Sequence, residues 1–145
     1  GSYTTRIIDG TVNEVTDADL TKKWSEVLDC PSTVQMGYLK EFLTKYKWWT
    51  LTPDFYDGNF FKPNVNALYA NASDGNGTYV IYLYNRSTAS GELVNLDTKA
   101  TYTLTWFNPR TNEYTNIDGK VTGKSTYALP NKPDIEDWVL IATKN

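Results

Sequence analysis

Apolar residues recur along this chain with two different periods. Near the start they fall at helical spacing. Thr16-Asp17-Ala18-Asp19 sets a capping hydroxyl and early acids before Leu20, Trp24, Val27 and Leu28, which lie on one helix face. Asp29-Cys30-Pro31 ends that run, because proline pushes the residue before it out of the helical region. Ser32-Thr33-Val34-Gln35 then reads as a capping box. Met36, Leu39, Leu43 and Tyr46 follow as a second stripe, widened by Phe42. The first sixty residues therefore read as helical, ending in an aromatic segment, Trp48-Trp49-Thr50-Leu51-Thr52-Pro53-Asp54-Phe55-Tyr56 and on through Phe60-Phe61.

Beyond residue 64 the period is two. Strands are predicted at Ala67–Ala70, Tyr79–Tyr84, Glu92–Asn95, Thr101–Phe107, Tyr114–Ile117, Lys120–Thr122, Ser125–Leu129 and Trp138–Thr143. Asp74-Gly75-Asn76-Gly77 predicts a hairpin turn between the first two. Asp118-Gly119 predicts another, joining Tyr114–Ile117 to Lys120–Thr122. The fold class expected is mainly β: an antiparallel β-sandwich of about eight strands, preceded by a two-helix N-terminal segment. The expected division is residues 1–60, a helical segment with an aromatic linker, and 61–145, the sandwich.

Within the longest strand, Tyr102, Leu104 and Trp106 alternate with Thr103, Thr105 and Phe107. Trp106 and Phe107 thus point to opposite faces, so only one of them is expected in the core. Asn108-Pro109-Arg110-Thr111 fits a type I turn, with Asn108 bonding the backbone ahead and Pro109 presetting φ. Asn112 tolerates a left-handed conformation. Arg110 at such a tip is expected to be solvated.

Composition removes whole classes of chemistry. The chain of 145 residues has no His and one Cys, Cys30. That excludes Ser-His-Asp and Cys-His catalysis, histidine zinc sites and an internal disulfide. No metal or cofactor is expected. A net charge of −3 offers no basic footprint for nucleic acid, and no apolar run reaches membrane length. The acids Asp54, Asp57, Asp134, Glu136 and Asp137 cluster within loops. A glycosidase needs two carboxyls facing each other across a cleft, so they make poor catalytic candidates. Aromatics are plentiful at 14%, and flat rings suit stacking on a sugar. The candidate platforms are Trp48, Trp49, Tyr56, Tyr82 and Tyr84.

One stretch carries a family resemblance. Trp106-Phe107-Asn108-Pro109-Arg110-Thr111-Asn112-Glu113, then Gly119, Gly123 and Pro130, then Asp137-Trp138-Val139-Leu140-Ile141 are similar to a family pattern. That pattern runs approximately Trp-Phe-Asp-Pro-Arg-Thr-Gly-Glu and closes on Asp-Trp-Val-Leu. Asn108 and Asn112 replace the Asp and the Gly, and both keep the turn chemistry. The family is known as "Putative collagen-binding domain of a collagenase". Its members usually follow an apiosidase-like (β/α) barrel of the glycoside hydrolase type. Trp24-Ser25-Glu26-Val27-Leu28, Pro31, Gln35–Lys40, Trp48-Trp49 and Pro53-Asp54 resemble the end of such a barrel.

The resemblance implies a non-catalytic accessory module of a glycoside hydrolase, bacterial and extracellular or periplasmic. Its partner would be the catalytic barrel, with polysaccharide or collagen as further partners. Barrel carboxylates sit at strand ends, and no residue here matches one. The alternative implied by the family's name is a protein-binding module for collagen.

Overall fold

Strand formation in the second half follows the alternation of apolar and polar side chains, and the computed structural model places it as follows. It describes residues 6–8, 11–13, 31–55, 58–64, 67–84 and 86–145. The chain divides into two compact units, Gly1–Met36 and Gly37–Asn145.

In the first unit, β1 (Arg6–Ile8) pairs antiparallel with β2 (Thr11–Asn13), Ile8 opposite Thr11. This hairpin departs from the helical reading of the opening sixty residues. The sequence signal for it is β-branched residues on either side of Asp9-Gly10. The first predicted helix, Thr16 to Asp29, lies outside the described residues, as does Cys30. The second helix is present as α1 (Pro31–Lys45). It starts one residue ahead of the expected cap Ser32, with Pro31 in the first turn, where its missing N–H costs nothing. Lys47, at φ 49°, turns the chain out of it into a 3-10 turn at Trp48–Thr50.

The second unit is built on two antiparallel sheets. The larger contains β3 (Thr52–Pro53), β5 (Tyr69–Ser73), β6 (Thr78–Leu83), β8 (Thr101–Asn108), β9 (Glu113–Asn116), β10 (Val121–Thr122) and β12 (Trp138–Lys144). Its order is β10-β8-β12-β6-β5-β3. The smaller runs β11 (Tyr127–Ala128), β7 (Gly91–Leu93), β4 (Phe61–Pro63). All eight predicted strands are present, within a few residues of their expected ends.

One predicted pairing is corrected. β9 and β10 do not form a hairpin with each other. Both pair with β8, Thr105 opposite Asn116 and Tyr102 opposite Val121. β12 occupies the other edge of β8, and β8 is long enough to seat two short strands end to end. Ile117 N–H bonds Leu104 O at 2.9 Å and continues that ladder, and Gly119 at φ 84° turns the chain between them.

The larger sheet buries both of its faces. Its inner face carries Ile81, Leu83, Leu104, Trp106, Trp138 and Leu140, packed with Phe61 and Leu93 of the smaller sheet. Its outer face carries Phe107, Val139 and Ile141, packed with Phe42 of α1. Trp106 and Phe107 do point to opposite faces, yet they are 4% and 2% exposed. The expectation that only one would be buried fails because α1 covers the second face. The Phe42 and Phe107 rings stack at 4.7 Å. Of the predicted helix stripe, Phe42 is buried and Leu43 and Tyr46 are half-buried, whereas Met36 and Leu39 are exposed.

Candidate functional site

At the end of β8, Asn108 makes the predicted turn. Its Oδ1 accepts from Arg110 N–H at 3.0 Å, its carbonyl accepts from Asn112 N–H at 2.9 Å, and Asn112 is left-handed at φ 63°. Arg110 is not a free tip. It donates from Nε to Asn108 Oδ1 and from Nη2 to Asp134 Oδ2, each at 3.0 Å. Its guanidinium lies 5.5 Å from the Trp138 ring centre, and Trp138 Nε1 donates to Asp134 Oδ1 at 2.8 Å. Burial acts to raise the Asp134 pKa, but the indole and guanidinium donors outweigh it and hold the carboxyl below its ordinary value. The four side chains form a closed clamp over Trp138.

The same accounting applies to the other acids. Asp137 Oδ2 accepts the Tyr82 hydroxyl at 2.6 Å. Asp54 accepts Asn59 N–H and Asn59 Nδ2, at 3.1 and 2.9 Å. These carboxylates hold loops in place. Asp57 lies outside the described residues.

The aromatic candidates separate into two places. Trp48 and Trp49 are 58% and 61% exposed and meet edge to face at 6.4 Å. Phe55 beyond them is 78% exposed. The same aromatic segment then sends Phe60 and Phe61 into the inner core. Tyr82 of β6 and Tyr84 just after it stack at 5.6 Å, and Tyr82 also packs against the outer-face cluster that Phe42 joins. Tyr82 is half-buried, and its phenol is pushed up to about 12 by burial and then by the Asp137 bond. Ala70 of β5 stands opposite Tyr82, and Leu68, 55% exposed, adjoins Tyr84 through a backbone bond of 3.1 Å. Tyr56 lies outside the described residues.

The sequence reading missed a trough at one end of the sandwich. Two contiguous depressions, of roughly 560 and 410 Å3, share Gly75, Tyr79 and Asn95. Segments far apart in sequence wall it: the β5–β6 turn, the loop after β7 and the end of β12 at Lys144, with Thr52–Asp54, Asn59 and Phe60 completing the second depression. Only the turn was legible, and only as a turn.

The family described as "Putative collagen-binding domain of a collagenase" matches residues 61–143. The chain belongs to this family. The match begins at β4 and ends within β12, so the helix that covers the outer face of this collagen-binding-type domain lies before it. The stretch that carried the resemblance is the β8–β9 turn with its clamp, and Asp137–Ile141 is the start of β12. No curated protein matches the chain.

Two solved structures share the fold. One, a "Glycoside hydrolase", aligns with a TM-score of 0.68 at 18% identity over 86% of this chain. The other, a glycoside hydrolase family 5 from Bacteroides vulgatus, aligns with a TM-score of 0.63 at 19% identity over 86% of this chain. The chain spans 28% and 27% of the lengths of those two proteins.

Proposed function

We propose that this chain is the non-catalytic accessory module of a glycoside hydrolase, packing on and stabilising a catalytic barrel. The supporting observation is that it aligns over most of its own length with little more than a quarter of two glycoside hydrolases. Its acids agree with this, since Asp54, Asp134 and Asp137 are tied into loop geometry. The exposed side chains of Leu39, Trp48, Trp49 and Phe55 supply the packing face, because a patch of large exposed apolar groups marks an interaction surface. In this reading Trp48 and Trp49 contact the barrel and not a sugar. A location outside the cytoplasm, extracellular or periplasmic, belongs to the same proposal. So does the reading of the segment before residue 61 as the end of the barrel.

The reading frame upstream of this segment in the source genome should encode a (β/α) barrel. That barrel should melt at a higher temperature with the module attached than without it. Trp48→Asp combined with Trp49→Asp should lower that midpoint while the module's own circular dichroism stays unchanged. A barrel indifferent to the module's removal would sink the reading. The family's description supports collagen as the second reading, and retention on fibrillar collagen with no effect on a barrel would put it first.

A further inference from the structure

We propose that the trough at the β5–β6 end of the sandwich is a binding site for a neutral oligosaccharide. Its floor is the half-buried ring of Tyr79, which lines both depressions. Phe60 supports that ring at 5.0 Å and Tyr102 at 6.1 Å. A supported aromatic face is what the C–H surface of a pyranose stacks on. The volume falls within the range of ligand sites.

The walls are fixed before any ligand arrives. Asp74 Oδ1 accepts from Asn76 N–H and Thr78 N–H, both at 2.8 Å, and fastens the turn. Gly77 is seated against Lys144 so closely that a Cβ there would stand 2.4 Å from the lysine Cβ. Lys144 Nζ in turn holds Asp97 at 2.8 Å. Asn95, left-handed at φ 56°, donates from Nδ2 to Asn59 O at 2.8 Å. Loops ordered in advance leave less conformational entropy to be lost on binding.

The unused groups define the ligand. Lys144 keeps further N–H donors after Asp97, Asn95 keeps Oδ1, and Asn76 and Thr98 present an amide and a hydroxyl. Donors and acceptors interleaved around an aromatic ring match a chain of hydroxyls. Asp54, Asp74 and Asp97 outnumber Lys144 in the walls, which disfavours an anion. A cation fits no better. The carboxylates are already taken by N–H donors, and among the described residues no group of three acids could hold a metal ion. An extended peptide would need an unpaired strand edge, and the only edge strand among the lining residues, β3, offers two residues, Thr52 and Pro53.

This inference deepens the accessory-module reading and rests on it for the ligand class. The test is calorimetry of the 145-residue chain against neutral β-linked and α-linked oligosaccharides of plant and microbial origin. At least one should bind. Tyr79→Ala should weaken it about tenfold, the order expected for a lost stacking contact. The combined Asn76→Ala, Thr98→Ala variant, at exposed positions, should weaken it severalfold and guards against a misfolded Tyr79 variant. Tyr84→Ala should leave affinity within twofold. Loss of binding in Tyr84→Ala with both trough variants unaffected would move the site to the outer face and end the proposal. No binding by any glycan, with the barrel stabilisation intact, would remove the trough site and leave the module reading. Binding through the trough with no effect on a barrel would do the reverse.

Discussion

The two faces of the larger sheet are covered by different means. The inner face meets a second sheet, and sixteen buried residues among those described form one cluster between them. The outer face meets one helix, and its buried cluster has four members, Phe42, Phe107, Val139 and Ile141. A sheet that packs on another sheet is shielded along its whole length. A helix shields a strip, and here Tyr84 and Leu68 stay exposed beside it. The inner cover lies within the family match at 61–143, while α1 lies before it. A domain drawn from residue 61 therefore exposes Phe107, Val139 and Ile141. The compact unit, Gly37–Asn145, thus begins upstream of the family match.

The largest expected effect is on the inner face. Phe61 is fully buried in the smaller sheet, and its ring meets Tyr69 at 5.0 Å. Phe61→Ala should cost about 3–5 kcal/mol in urea denaturation, with all probes reporting one transition. A loss under about 1 kcal/mol would mean that the smaller sheet contributes little, and the contrast between faces would collapse.

These two faces were unequally legible in the sequence. Alternation marked β8, while β6 and β12 read as short apolar runs, as strands covered on both faces do. It also put Tyr102, Leu104 and Trp106 correctly on one side. It could not report that a helix lies over the other side, so it predicts only one of Trp106 and Phe107 in the core. Arg110 was misread for a similar reason. Its partners Asp134 and Trp138 arrive from a segment two dozen residues away, and turn chemistry is local. The Asp118-Gly119 signal was a true turn, but what pairs on either side of a turn depends on the free edge available, here that of β8. The trough was invisible for the strongest form of this reason, since its walls come from separate segments far apart in sequence. The β1–β2 hairpin is marked only by β-branched residues around Asp9-Gly10, a signal outweighed by the helical spacing of Leu20, Trp24, Val27 and Leu28 that follows.

On the outer face the expected effect is smaller and local. Phe42→Ala should cost about 3 kcal/mol, the low end for a buried phenylalanine, because one side of the helix already meets solvent. The helix has other ties. Asn112 Nδ2 donates to Glu41 Oε2 at 2.7 Å, and Lys45 Nζ lies 3.5 Å from the Tyr114 ring centre. Hydrogen exchange should show α1 amides losing protection in the variant while β6 and β12 amides keep theirs, as expected of a low-stability unit on a stable one. Equal loss across helix and sheets would erase the distinction between the faces, making α1 as integral as the second sheet.

The smallest effect lies at the Arg110 clamp, which closes the inner face over Trp138. Asp134 has its folded pKa lowered, with the Trp138 and Arg110 bonds overcoming burial. A carboxyl of that kind contributes stability above its unfolded pKa, and the contribution disappears as pH falls through the folded value. The Asp134 side chain is 45% exposed, so solvent screens the pair and the contribution should stay under about 1 kcal/mol. Asp134→Asn should therefore narrow the stability difference between pH 6 and pH 3, values that bracket the ordinary carboxylate pKa of about 3.9. Variant and parent should converge as pH falls through the folded value. The same variant frees Arg110, whose remaining bond is to Asn108 Oδ1, so the β8–β9 turn should hold while Trp138 fluorescence changes. If instead the gap between variant and parent widened as pH fell, Asp134 would be stabilising the fold as a neutral acid. The clamp would then rest on shape and not on charge.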